Sequence, residues 1–371
     1  MYYLVIEGRW TTFVGVYKTH SKMNIKTFII MSIITAVGLS SCKESSTETP
    51  VDNSLPKVYM TTDISPEGLV KVYEALGREA KGKVAVKIST GEPGGHNFLQ
   101  PSLIKDLVQK VNGTIVECNT AYEGRRNSTE EHLAAAREHG FFDIAHVDIM
   151  DAEGDMKIPV QDTTHIKYNI VGDHLKNYDF MINLAHFKGH AMGGFGGVLK
   201  NQSIGNASSR GKAYIHTAGY TDDLKEMWGY LGKQMAHLNS MSTAPEEVKA
   251  MQVNFIESMA AAAQSIHEYF GSGENIIYIN VMNNMSVDCD CNAHPAAPLV
   301  KDMGIVASTD PVALDQACLE LVFAVEPSEG NDNQPLVERI TSRHGNHIVD
   351  YAEKIGLGSK KYTLINIDKA E

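Results

Sequence analysis

Basic charge is in short supply in this sequence: 33 lysines and arginines against 45 aspartates and glutamates leave a net charge of −12. No run of basic residues offsets the deficit. Phosphate backbones are held by basic surfaces, so nucleic acid is excluded as a main partner. Cysteine is scarce as well, with five in 371 residues. These five lack the even spacing of a small disulfide-stapled domain. There is no internal repeat, which leaves out solenoids and propellers. One apolar run stands out near the start, Thr27 to Leu39. It is too short and wrongly flanked for a transmembrane helix.

That run has a different reading. Met23-Asn24-Ile25-Lys26 is a short positive start, Thr27 to Leu39 an apolar centre, and Leu39-Ser40-Ser41-Cys42 a small-residue close. The order is that of a secretory signal. Ending on cysteine, it resembles the lipobox of bacterial lipoproteins. The resemblance implies that Cys42 is acylated and becomes the first mature residue. The protein is then exported and lipid-anchored in the bacterial cell envelope, facing the periplasm or displayed on the cell surface. Residues 1–22 precede the better start at Met23 and read as an over-extended start. Residues 43–56 ("KESSTETPVDNSLP") have the composition of a flexible tether. The folded body is expected over 57–371. Removing residues 1–42 takes away four basic residues and one acidic, so the body is more acidic still.

The body alternates strand and helix patterns. "KVYMTTD" (57–63), "KVAVKI" (83–88), "GTIVEC" (113–118), "YDFMINL" (178–184), "NIIYINVM" (275–282), "GIVAS" (304–308) and "YTLINI" (362–367) read as strands. Ser65-Pro66 opens a helix, as do Pro101, the capping box at Ser128 and Asp310-Pro311. Pro245 to Tyr269 has apolar residues at helical spacing. The expectation is an α/β fold, a largely parallel twisted sheet with helices on both faces. Ligands in such sheets sit beyond the carboxyl ends of the strands, which is where the polar stretches fall.

Four stretches carry candidate chemistry. "STGEPGGHN" (89–97) offers Glu92 and His96 on a glycine-rich turn. "TAYEGRR" (120–126) offers Arg125 and Arg126, and arginine binds carboxylate or phosphate with two parallel hydrogen bonds. "HFKGHAMGGFGGVLKNQSIG" (186–205) sets Lys188, His190 and Lys200 around Gly193, Gly194, Gly196 and Gly197, an expected anion cradle at a helix start. "DCDCNAH" (288–294) places Cys289, Cys291 and His294 within seven residues, a set suited to zinc or iron. A local disulfide or free thiols explain the same cysteines. Cys118 and Cys318, in apolar contexts, read as buried small hydrophobes.

These stretches, taken with "VAVKISTGEPGGHNFLQP", "ECNTAYEGRRNSTEEHL" and "DCDCNAHPAAPLVKDMGIVASTDPVALDQAC", resemble the "domain of unknown function 362" family over about residues 57 to 325, in the same order. Many relatives carry a ferredoxin-like insert with repeated C-x-x-C, and this chain has no such series. A shorter stretch, "GHAMGGFGGVLK", is similar to the nickel-pincer lactate racemases around their catalytic histidine and cofactor lysine. Lys200 follows His190 by ten residues, and His216 follows Lys200 by sixteen. The resemblance implies that His190 is the acid/base, Lys200 a tether or anion contact, and His216 a metal ligand. The racemases' Asp-x-Thr-Arg-Pro stands here as "STGEPGG", without the arginine.

The expectation drawn from all this is an exported lipoprotein with one metal- and anion-binding cleft, doing isomerase- or racemase-like acid/base chemistry on a small anionic substrate. His190 and Lys200 are the catalytic pair. Gly193, Gly194, Gly196, Gly197, Arg125, Lys188 and Glu92 form the anion-binding set. His216, Cys289, Cys291 and His294 are the ligands for a metal ion, nickel, zinc or iron. Two alternatives stay open: a non-catalytic metal or iron–sulfur redox carrier centred on the C-x-C pair, and a ligand-binding lipoprotein.

Overall fold

The computed structural model describes residues 54–369, together with the backbone of two short strands near the start. The start-site, signal and Cys42 readings, and nearly all of the tether, lie outside the described residues. The chain divides into two compact units, 1–50 and 51–371. In the first, β1 (Val5–Ile6) pairs antiparallel with β2 (Arg9–Trp10).

The second unit begins with β3 (Lys57–Thr61), α1 (Pro66–Ala75), β4 (Val84–Lys87), α2 (Pro101–Lys110), β5 (Thr114–Glu117), α3 (Thr129–Glu138) and β6 (Val147–Ile149). A hairpin of β7 (Asp155–Pro159) and β8 (Tyr168–Gly172) follows, then β9 (Phe180–His186). Next come a tight hairpin, β10 (Lys188–His190) with β11 (Gly194–Gly196), and the helices α4 (Val198–Asn206), α5 (Ser209–His216), α6 (Leu224–Ala236) and α7 (Glu246–Tyr269). The chain ends through β12 (Ile276–Met282), β13 (Gly304–Ser308), α8 (Pro311–Phe323), α9 (Gln334–Ser342), α10 (His347–Lys354) and β14 (Thr363–Asn366).

Eight strands form one sheet in the order β14-β3-β13-β12-β9-β4-β5-β6. All neighbours run parallel except β13, which is antiparallel to both β12 and β3. The expected α/β architecture therefore holds, with one reversed strand. The central strands β9 and β12 are buried along their whole length, as strands covered on both faces must be. Side chains alternate across a strand, and β12 divides accordingly. Ile276, Tyr278 and Met282 enter one apolar layer, with Phe255, Met259 and Leu314. Ile277, Ile279 and Val281 enter the other, with Leu69, Ile104 and Leu107. Each fully buried aliphatic side chain contributes about 1.5–3 kcal/mol of transfer free energy.

Local chemistry agrees with the element starts. Ser65 Oγ accepts from Gly68 N at 3.0 Å, and Asp310 Oδ1 from Val312 N and Ala313 N at 2.9 Å each. Gly140 turns the chain after α3 with φ +84°. Ser128 precedes α3 as expected but makes no side-chain cap. Cys118 and Cys318 are free and buried. Among the described residues, no helix is long and apolar enough to cross a membrane.

The parallel run aligns four carboxyl ends. Strands β4, β5, β9 and β12 finish at Lys87, Glu117, His186 and Met282 on one edge of the sheet. The loops that follow them build the site.

Candidate functional site

Those four loops, with α4, α5 and α6, surround a half-open cavity of about 310 Å³. Five basic side chains line it: Lys87, Arg126, Lys188, Lys200 and Lys212. Two carboxylates line it, Glu117 and Asp290. An apolar part of the wall comes from α6 through Met227, Trp228, Leu231 and Met235, of which Trp228 and Met235 stay exposed.

Most of the cations are already engaged. Lys188 Nζ lies 2.8 Å from Asp290 Oδ2, and His186 Nδ1 lies 2.8 Å from the other oxygen of that carboxylate. Arg126 Nε donates to Glu92 Oε2 at 2.9 Å, its Nη2 donates to the Tyr122 hydroxyl at 2.8 Å, and its Nη1 lies 3.6 Å from Glu117 Oε1. Lys212 Nζ donates to the Ala207 carbonyl at 2.6 Å. Lys87 Nζ donates to the Ile88 carbonyl and, at 3.2 Å, to Asn201 Oδ1. Among the described residues, Lys200 Nζ has no hydrogen bond or ion pair.

The electrostatics follow from burial and from this surplus of positive charge. Burial, reinforced by Lys188, pushes the Lys200 ammonium down to about 7. Burial likewise brings Lys87 to about 8, although Glu117 works against it. Burial alone would raise Glu117 and Asp290. Lys87 and Arg126 hold Glu117 down at about 2, and His186 with Lys188 holds Asp290 well below the usual carboxylate range.

Two histidines face the cavity. His190 closes the turn of the β10–β11 hairpin, and its Nδ1 accepts from Gly193 N at 2.8 Å and Met192 N at 3.2 Å. His216 ends α5, stacks on Phe255 with ring centres 4.7 Å apart, and donates from Nδ1 to the Lys212 carbonyl at 2.7 Å. Burial lowers both rings, His216 to about 4, and Lys200 adds to the effect.

Cys289 and Cys291 also line the cavity, joined as a disulfide. One ligand atom each from His190, Cys289 and Cys291 lie within 4.8 Å of one another, so this cluster could hold a metal ion. Thiolate and imidazole donors suit zinc, iron or nickel. The sulfurs become ligands only as thiolates, so loading requires the disulfide to be reduced. His190 Nδ1 accepts from two amides, so the ring could join this cluster only through Nε2, and only by giving up its Nε2 proton or those amide bonds. His294 is exposed, with its backbone N–H turned to Asn292 Oδ1, and lies outside the cluster. His216 shares the cavity but not the cluster.

The glycine stretch departs from the expected anion cradle. The amides of Val198 and Leu199, at the start of α4, donate to the Asp315 carboxylate at 3.0 and 2.9 Å. Asn280 Nδ2 adds a third donor at 2.7 Å. A Cβ at position 197 would stand 2.3 Å from Asp315 Oδ1, so glycine there makes room for the protein's own carboxylate. Gly193 gives its amide to His190, Gly194 makes a turn with φ +80°, and only Gly196 and Gly197 reach the cavity wall.

Arg125 and Glu92 also need correcting. Arg125 lies on the surface, paired with Glu131 at 2.9 Å and Glu138 at 2.6 Å. Its neighbour Arg126 turns inward, because the short 3-10 turn at 125–127 sends successive side chains in different directions. Glu92 is a buried counterion to Arg126 and does not line the cavity. The structure does bring Lys188, His190, Lys200, His216, Cys289 and Cys291 around one space. It adds Lys87, Glu117, Asp290 and Lys212. Lysine and glutamate closing the apolar runs "VAVK" and "TIVE" were the available signal for two of these, and Asp290 stands between the cysteines. Lys212 has no sequence signal, because only the packing of α5 brings it to the cavity.

A family model described as "Domain of unknown function (DUF362)" matches residues 84–320, which contain every residue of the site. No curated protein matches the sequence. Among solved structures, the lactate racemase apoprotein from Thermoanaerobacterium thermosaccharolyticum is similar at 13% identity and TM-score 0.38, over 71% of this chain and 56% of that one. A protein from Thermotoga maritima is similar at 11% identity and TM-score 0.40, over 78% of this chain and 58% of that one. The chain spans little more than half the length of either.

Proposed function

The chain belongs to that family of unknown function, and on this premise we propose that the cavity binds a small molecule with an anionic head and moves a proton on it. The observation that carries the reading is the surplus of cations around a half-open cavity, with Lys200 making no ion pair or hydrogen bond among the described residues. Desolvated ammonium groups attract a carboxylate or phosphate far more strongly than surface lysines do. The apolar wall of α6 suits the non-polar part of such a ligand.

The proton chemistry follows from His216 and Lys200. With its Nδ1 proton given to the Lys212 carbonyl, His216 keeps a lone pair on Nε2. It can take a proton from the carbon next to the ligand's carboxylate. The electron pair left behind moves onto the carboxylate oxygens, where the Lys200 ammonium steadies it. Return of a proton from His216 to the same face of that carbon, after the ring has exchanged with solvent, gives α-proton exchange. A metal at the cysteines, when bound, would supply further stabilisation of negative charge.

The test incubates the protein in D₂O with single enantiomers of 2-hydroxy acids and amino acids and follows the α-proton by NMR. Exchange in at least one of them, lost in His216→Ala, supports the reading. Binding without exchange across the set rejects the enzyme and leaves a ligand-binding protein.

The Cys289–Cys291 disulfide beside His190 favours a second reading, a metal or redox carrier. There, Cys289→Ser empties the site of metal after reduction while Lys200→Met leaves it filled. Export and lipid anchoring at Cys42 complete the proposal. Cys42→Ser is then expected to move the protein from the membrane fraction to the soluble fraction.

A further inference from the structure

A backbone N–H can only donate and a backbone carbonyl can only accept. This fixes the tautomers of both cavity histidines. His190 Nδ1 faces two amides, Gly193 N at 2.8 Å and Met192 N at 3.2 Å, so it is an acceptor and the neutral ring carries its proton on Nε2. His216 Nδ1 faces a carbonyl at 2.7 Å, so it is the donor and Nε2 keeps the lone pair. The two rings thus offer the cavity opposite chemistry.

The His190 arrangement is built in. Residues 191–193 form the hairpin turn whose amides grip Nδ1. Two other parts of the chain brace that turn: Arg343 Nε donates to the Ala191 carbonyl at 2.9 Å and Gln252 Nε2 to the Met192 carbonyl at 2.7 Å. With Nδ1 enclosed by its own turn, Nε2 is the polar atom left to the cavity.

We infer that His190 is a fixed neutral hydrogen-bond donor, its Nε2–H meeting a carbonyl or carboxylate oxygen of the bound anion, and that it neither shuttles protons nor ligates metal. A proton shuttle must accept at the atom it later donates from, and Nε2 already holds its proton. A metal at Nε2 would demand an imidazolate or the loss of both amide bonds. A neutral imidazole of this kind polarises a carbonyl without surrendering its proton.

The inference rests on the reading of the cavity as an anion site, and its test separates the two. Full-length protein labelled with ¹⁵N-histidine is examined by long-range ¹H–¹⁵N correlation, then titrated with oxalate. The expected result is the proton on Nε2 in His190 and on Nδ1 in His216, with the His190 Nε2–H resonance moving as oxalate binds. His190→Gln retains an amide donor near the Nε2 position and is expected to stay within about threefold of the parent affinity. His190→Leu is expected to lose about tenfold or more, the range of a hydrogen bond to a charged group. A proton on Nδ1 of His190 overturns the inference, as does His190→Gln binding as weakly as His190→Leu. Parent protein that binds neither oxalate nor phosphate overturns the anion site, and with it the ligand assigned to His190. The tautomer is still read independently.

Discussion

Two places in this molecule are made to hold negative charge, and they differ in what fills them. At the start of α4, two helix amides and Asn280 surround a carboxylate that the chain supplies itself, Asp315. A few residues along the same helix, Lys200 lines the cavity and makes no ion pair among the described residues. The glycines between His190 and Lys200 suggest an anion site by composition, yet the strongest donors in that stretch are already spent on Asp315. A motif therefore marks where anions are held and leaves open whose anion it is. A foreign ligand belongs where the protein has left its positive charge unmatched.

Removing the internal anion breaks the comparison from one side. Asp315→Ala strands two helix amides and the Asn280 amide in the core, and is expected to cost about 3 kcal/mol by denaturant titration. Oxalate affinity should hold within about twofold, measured where the variant is folded, since Asp315 does not line the cavity.

The ligand side is sharpened by pH. Lys200 attracts an anion only as an ammonium, and burial sets its loss of charge at about 7. Oxalate affinity is expected to fall as pH rises through about 7. Lys200→Arg, charged throughout, should flatten the profile through about pH 7, with any remaining fall near 8 left to Lys87.

The internal site has a pH signature of its own. Burial raises Asp315 from 3.8 to about 6 in the folded protein, so the folded state binds this proton more tightly than the unfolded chain. The resulting stability is fully present below about pH 4 and is lost as pH climbs through about 6. Asp315→Asn should remove that slope from melting temperatures taken across the range.

The smallest effect belongs to the surface arginine. Arg125→Ala removes only exposed ion pairs and is expected to leave Tm and oxalate affinity unchanged within error. A loss of affinity there would return Arg125 to the site.

How much of this was readable beforehand depends on range. The strands and most helices follow from local signals, periodicity and caps such as Ser65 and Asp310, because those act within one turn. The convergence of four loops follows from parallel strands. What sequence could not give was direction. Arg125 and Arg126 are adjacent and identical in type, yet one pairs with Glu131 and Glu138 at the surface and the other with Glu92 and Glu117 inside. Nor could spacing give the destination of an amide. That His190 Nδ1 would take Gly193 N, and Asp315 the start of α4, is set by contacts over 100 residues apart for the carboxylate. The C-x-C pair was left between metal, disulfide and free thiols. The structure joins the sulfurs and sets them beside His190, close enough for metal once reduced.

The most direct measurement is a calorimetric titration of oxalate into the parent protein and into Lys200→Met, near pH 6. The account predicts one site per chain in the parent and an affinity lower by about 10- to 100-fold in the variant, the size of a lost charge-assisted contact. Equal affinity in the two proteins, or no binding in either, would contradict it.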